Sequence, residues 1–260
     1  MLTIHKAQMH ALRAALRDAF VEQMIVHLAR FSRPSFGALE EDQRRKVVHL
    51  GLGRADSYGL TFEGPVRLYL ELMTLLGSDF DTDPQYPWAG EILNARDSGP
   101  QMQRATLLYQ KTLEYRTAVF GPGDVHTLDA FGGIQALARQ AFAPLAGDLE
   151  TTLPPWIASI HPQKAAFLGS GALAALVREG LDKARVLASS TDREVAFIVV
   201  FMLMFGHGCI DDPLHPWIGR ALSNDGITES IGRAKRLEQG LSAWLDQARV
   251  PFAETKHTFR

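Results

Sequence analysis

Only one cysteine, Cys209, stands in the 260 residues, which excludes an intrachain disulfide framework and any cysteine-rich zinc site. An excess of one charge is also missing. The 27 Lys and Arg residues interleave with 29 Asp and Glu residues, for a net charge of −2. Nothing in that balance pulls the chain toward nucleic acid or an anionic membrane, so no nucleic-acid partner is expected. The longest apolar run, Val195 to Phe205, has 11 residues. A bilayer span needs about 20, so this run reads as a buried core helix. The opening MLTIHKAQMHALRAAL has no apolar core followed by a small-residue cleavage site, and a cytoplasmic, soluble chain is the expectation. Alternating strand patterns are absent too.

What the sequence does have is helical spacing. Met9, Leu12, Leu16, Phe20, Met24 and Leu28 recur at threes and fours, predicting a helix over 6–31. Further helices are expected at Arg44–Ser57, Val66–Leu76, Gln101–Val119, Ala172–Ala188, Val195–Phe205 and Thr228–Ala248. Thr191 with Glu194 reads as a capping box, and Pro65 suits a first helical turn. Gly77 and Gly206 fall where left-handed helix caps belong. The expected fold is all-α.

Two stretches, DTDPQYPW at 81–88 and IDDPLHPW at 210–217, share one frame. Sliding the chain by 129 positions extends the match without a gap from Val48/Val177 to Gln110/Gln239. The matched pairs include Gly51/Gly180, Met73/Met202, Gly77/Gly206, Trp88/Trp217 and Arg104/Arg233. Such a register implies an internal duplication. The expected lobes are 1–122 and 123–260, divided near Gly121-Pro122-Gly123, with Asp129–Leu145 taking the part of the first helix. Gly169-Ser170-Gly171 reads as the loop into the helix at Ala172, and the tail from Pro251 to Arg260 as a frayed end.

The shared residues of the two turns are those of geometry: Asp83, Pro84, Pro87 and Trp88 in one, Asp212, Pro213, Pro216 and Trp217 in the other. Arg104 and Arg233 are expected to clamp the last helix of each lobe to Asp83 and Asp212. Asp79, Asp81 and Asp83 look like the start of a calcium loop, but Pro84 and Gly90 stand where an EF-hand needs glycine and a bidentate glutamate. His207, Asp211, Asp212 and His215 form a candidate metal cluster, which carries the competing reading of a metal-dependent enzyme. Gly51-Leu52-Gly53 lacks a third glycine and the preceding strand of a dinucleotide site. Cys209 reads as a small buried residue and not a nucleophile. No catalytic residue and no cofactor are assigned. The unshared turn residues, Asp79, Asp81 and Tyr86 in one lobe and His207, Asp211 and His215 in the other, are the candidates for partner binding.

The stretch Gly51…Ala55…Tyr58-Gly59-Leu60-Thr61…Val66…Leu72-Met73…Gly77-x-Asp79-Phe80-Asp81-x-Asp83-Pro84…Pro87-Trp88-Ala89…Ile92-Leu93, after an Ile4-x-Lys6-Ala7-Gln8-Met9 opening, resembles a family of small accessory proteins. Those proteins are encoded beside spike, PAAR-type and toxin genes of bacterial type VI secretion clusters. The resemblance covers roughly residues 1–115. It implies a cytoplasmic adaptor or chaperone that binds a toxin effector or a spike component, or an immunity protein that neutralises the toxin. It brings no catalytic residues. A homo-oligomer is a further possibility that the sequence leaves open.

Overall fold

The computed structural model describes residues 6–95, 99–139, 148–189, 191–223 and 230–258. These residues form an all-α fold. Its elements are α1 (Lys6–Phe31), α2 (Glu41–Ser57), α3 (Glu63–Leu76), α4 (Pro87–Asn94) and α5 (Gln101–Val119). A 3-10 turn at Pro122–Asp124 leads to α6 (Val125–Arg139), α7 (Leu149–Ile160), α8 (Pro162–Val186), α9 (Asp192–Phe205), α10 (Pro216–Leu222) and α11 (Ser230–Thr258). No strand occurs among the described residues. None of their helices is long and apolar enough to cross a membrane.

Local chemistry explains the boundaries. Glu40 and Gln43 make a reciprocal capping box at the start of α2. Pro87 and Pro216 open α4 and α10, where a missing N–H costs nothing. At α9 the capping box is only half made. The Thr191 side chain accepts the Glu194 N–H, but the Glu194 carboxylate turns to Ser189 and Arg233 instead.

Gly169 leaves helical geometry at φ 75° and ψ 166°, so α8 is two helices joined at a kink, and the second begins at Ser170, close to the expected start at Ala172. Helix α7 corresponds to no expected helix; it holds Pro154-Pro155 in its interior, and burial of Leu153, Ile157 and Ile160 offsets the lost backbone bonds. The tail is not frayed from Pro251, because α11 continues through Thr258. Of the expected helix Asp129–Leu145, the part from 140 on lies outside the described residues.

Two apolar clusters fill the molecule. One gathers buried residues from Val21 to Val119 together with Leu214. The other runs from Phe131 to Ala248. The 129-residue offset recurs in the elements themselves. It carries the bounds of α3 onto those of α9, and the bounds of α2 onto the part of α8 that follows Gly169. It also carries 20–31, the end of α1, onto α7, so that buried Met24 and Leu28 correspond to buried Leu153 and Ile157. The counterpart of the first helix is therefore α7 rather than Asp129–Leu145. Helix α6 stands outside the register and packs against α7 and α11.

Candidate functional site

The two Asp-Pro turns meet face to face. Asp83 accepts the N–H of Gln85 within its own turn and the N–H of His207, at 2.7 Å, from the other half. Asp212 accepts the N–H of Leu214 in its turn and both the N–H and the hydroxyl of Ser78, at 2.9 and 2.6 Å. Positions 78 and 207, and 85 and 214, each differ by the same 129. Burial raises both carboxyl groups above the usual range, although the N–H donors aimed at each oppose the rise.

Gly77 and Gly206 touch across this contact. Both have positive φ, 106° and 96°, with extended ψ, a region essentially reserved for glycine and not the left-handed cap expected. A Cβ at Gly77 would lie 2.3 Å from the Phe205 carbonyl oxygen, and one at Gly206 would lie 3.0 Å from that of Leu76. The glycines therefore serve the junction as much as the helix ends.

The expected arginine clamps are not formed. Arg104 donates to the carbonyls of Tyr58 and Leu93, at 2.9 and 2.7 Å, and not to Asp83. Arg233 donates to the carbonyls of Leu187 and Ala188 and pairs with buried Glu194 at 3.0 Å, not with Asp212. The two Asp carboxylates are already occupied by backbone N–H groups, so each arginine instead ties the last helix to the chain leaving the second. Pro65 stands where Glu194 stands in the other half, which leaves Arg104 without the carboxylate that Arg233 has.

The unshared turn residues scatter. Asp79 pairs with Arg54, while Asp81 is buried and accepts the Tyr69 hydroxyl at 2.8 Å. His207 meets Glu179 at 3.0 Å and Thr82 at 3.2 Å. Asp211 is exposed. Asp212 is turned to Ser78, and His215 packs on Phe205 with ring centroids 4.3 Å apart and the rings tilted by 38°. Of the four residues of the candidate metal cluster, His207, Asp212 and His215 thus have separate partners and Asp211 faces solvent. Among the described residues no group of three or more His, Cys, Asp and Glu side chains is placed to hold a metal ion. Cys209 is fully buried, and burial pushes its thiol well above the ordinary range.

Two of the scattered residues do come together. Tyr86 and His215, both buried, line a cavity of about 160 Å³ where the halves meet. The cavity lies on the line of correspondence, since both members of the pairs Ser35/Lys164, Leu75/Met204, Tyr86/His215 and Tyr115/Trp244 face it. Its walls are largely apolar, from Val119, Phe120, Phe131, Ile134, Ile160 and Phe205, and no Asp or Glu among the described residues lines it.

Lys164, from the first turn of α8, is the cation of this cavity and only 5% exposed. Its Nζ donates to the Tyr86 hydroxyl at 3.1 Å and to the Leu203 carbonyl. Burial pulls its pKa down to about 8 against the opposing charge of Asp83. His161 caps α8 by accepting the Lys164 N–H at its Nδ1, which fixes the tautomer with the proton on Nε2. Burial, with the nearby Lys164 charge, lowers the pKa of His161 to about 4, and burial alone takes His215 to about 3. Both imidazoles are neutral at pH 7. His215 Nδ1, Thr127 Oγ1 and Trp244 Nε1 are buried without a hydrogen-bond partner among the described residues.

Sequence reasoning marked Tyr86 and His215 by their difference between the turns but missed Lys164. The signal available was a helix start, His161-Pro162, carrying a lone lysine into an apolar Ala165-Ala166-Phe167-Leu168 run. Compared with known proteins, the chain matches no family model, no curated protein and no solved structure, so its site is defined by its own geometry.

Proposed function

We propose that the chain is a non-enzymatic protein-binding accessory, an adaptor or chaperone that holds a toxin effector for a bacterial type VI secretion machine in the cytoplasm. One observation carries this reading. The first half of α1 runs beyond the core with its apolar stripe uncovered: Met9, Leu12 and Leu16 are 36%, 52% and 61% exposed. They continue the same helical face as Met24 and Leu28, which are buried. Leaving such a stripe in water is unfavourable, and a helix presenting anchors at threes and fours suits a groove on a partner protein. The resemblance of residues 1–115 to secretion-cluster accessories names the kind of partner. Two tandem copies of one helical lobe, 1–122 and 123–260, belong to the same proposal, supported by the hydrogen bonds repeated 129 residues apart.

The test is co-expression with a candidate type VI toxin effector, using the wild type and a Leu12→Asp/Leu16→Asp variant. Both positions are exposed, so melting should stay within about 0.5 kcal/mol of wild type. The variant should lose the toxin in co-purification. Retained toxin binding at unchanged stability would remove α1 as the docking element. Protection of cells from the toxin, without binding to the spike, would assign the immunity role in place of the adaptor role.

A further inference from the structure

We propose that the cavity between the halves is a binding site for a small apolar monocarboxylate, whose carboxylate meets the Lys164 ammonium while its ring or branched body lies against Phe131, Ile134 and Phe205. The inference is independent of the protein-binding reading, which rests on α1.

Charge is the first argument. An ammonium has three N–H donors, and the protein supplies Lys164 with two acceptors, both neutral. No Asp or Glu lies within ion-pair distance of it among the described residues, and none lines the cavity. A buried cation is costly unless an anion accompanies it. At neutral pH it keeps its proton, since its pKa of about 8 still exceeds 7. The nearest negative group, Asp83, is already held by the N–H groups of Gln85 and His207.

Valence and size narrow the class. The two imidazoles are neutral, so the site offers one positive charge, which suits a monoanion and not a phosphate or a dicarboxylate. Thr127 Oγ1 and Trp244 Nε1, which lack partners among the described residues, can donate to a second carboxylate oxygen or to a ring substituent. The volume of about 160 Å³ is that of a one-ring ligand. An engineered apolar cavity of about 150 Å³ in another protein accepts benzene.

Benzoate and benzamide test this directly, because they share shape and differ in charge. Calorimetric titration of the full chain should show benzoate binding at least about tenfold tighter than benzamide. Lys164→Met should abolish that preference while leaving the weak benzamide binding in place. The comparison in the wild-type chain needs no variant, so it decides even if Lys164→Met does not fold. Equal binding of the two probes, or no binding of benzoate, phenylacetate and 4-methylpentanoate alike, would overturn the proposal. So would tighter binding of N-acetyl-glycyl-phenylalanine than of phenylacetate, which would make the site a receptor for a peptide terminus.

Discussion

The carboxylate of Asp83 holds the backbone N–H of His207, and 129 residues later the carboxylate of Asp212 holds the backbone N–H of Ser78. Each half thus completes the turn of the other. The residue that looks like a private turn former in sequence is a joint between halves in space.

Replacing either aspartate by alanine should therefore cost more than a turn substitution. Asp83→Ala orphans the buried N–H of Gln85 and the part-buried N–H of His207, and Asp212→Ala the buried N–H groups of Leu214 and Ser78, for about 2–4 kcal/mol each. The double variant should lose less than the sum, because opening the joint from one side removes much of what the second bond contributes. Urea denaturation of the three variants measures this. Losses below about 0.5 kcal/mol, as at ordinary surface sites, would show that the joint carries little.

The two equivalent arginines should differ. Arg233→Ala strands the Glu194 carboxylate, which is fully buried and, among the described residues, otherwise held only by Ser189, at a cost of about 3–5 kcal/mol. Arg104→Ala strands no carboxylate and should cost about 1–2 kcal/mol. Removing the glutamate together with the arginine, as Arg233→Met/Glu194→Leu, should recover most of the loss. Equal melting shifts for the two single variants would contradict the role given to Glu194.

Acid should weaken the fold through His215. Its native pKa of about 3 lies below the ordinary 6.5, so between those values the unfolded chain binds the proton and the native one does not. Stability from this group is complete above about 6.5 and falls as pH drops toward 3, by about 3 kcal/mol between pH 7 and pH 4. Asp83 and Asp212 act in the opposite sense, since their native pKa values are raised and protonation favours the native state. The difference between wild type and His215→Phe isolates the histidine. That difference should grow in favour of the variant as pH falls, and a flat difference would mean that His215 is solvated.

Much of this architecture is legible in the sequence because helices announce themselves by spacing. Helices α1 and α5 begin and end where the apolar periodicity and the prolines place them. Helix α7 is illegible because two prolines outweigh a short apolar face locally, and only tertiary burial reverses that balance. The uncovered start of α1 is hidden for a different reason. Periodicity shows that Leu12 and Leu16 share a face with Leu28, but not that the core ends before reaching them. The helix start at His161-Pro162 marks Lys164 only as a lysine ahead of an apolar run; that no Asp or Glu among the described residues lines its cavity is a fact of three dimensions that leaves no spacing to read.

The paired bonds at the joint have one more implication. A contact in which residue i meets j while the equivalent of j meets the equivalent of i is the geometry of an isologous homodimer interface. The turn at 77–85 carries both the donor, at Ser78, and the acceptor, at Asp83, that its mate requires. Severed from the rest, a chain ending after α5 would display a surface complementary to itself.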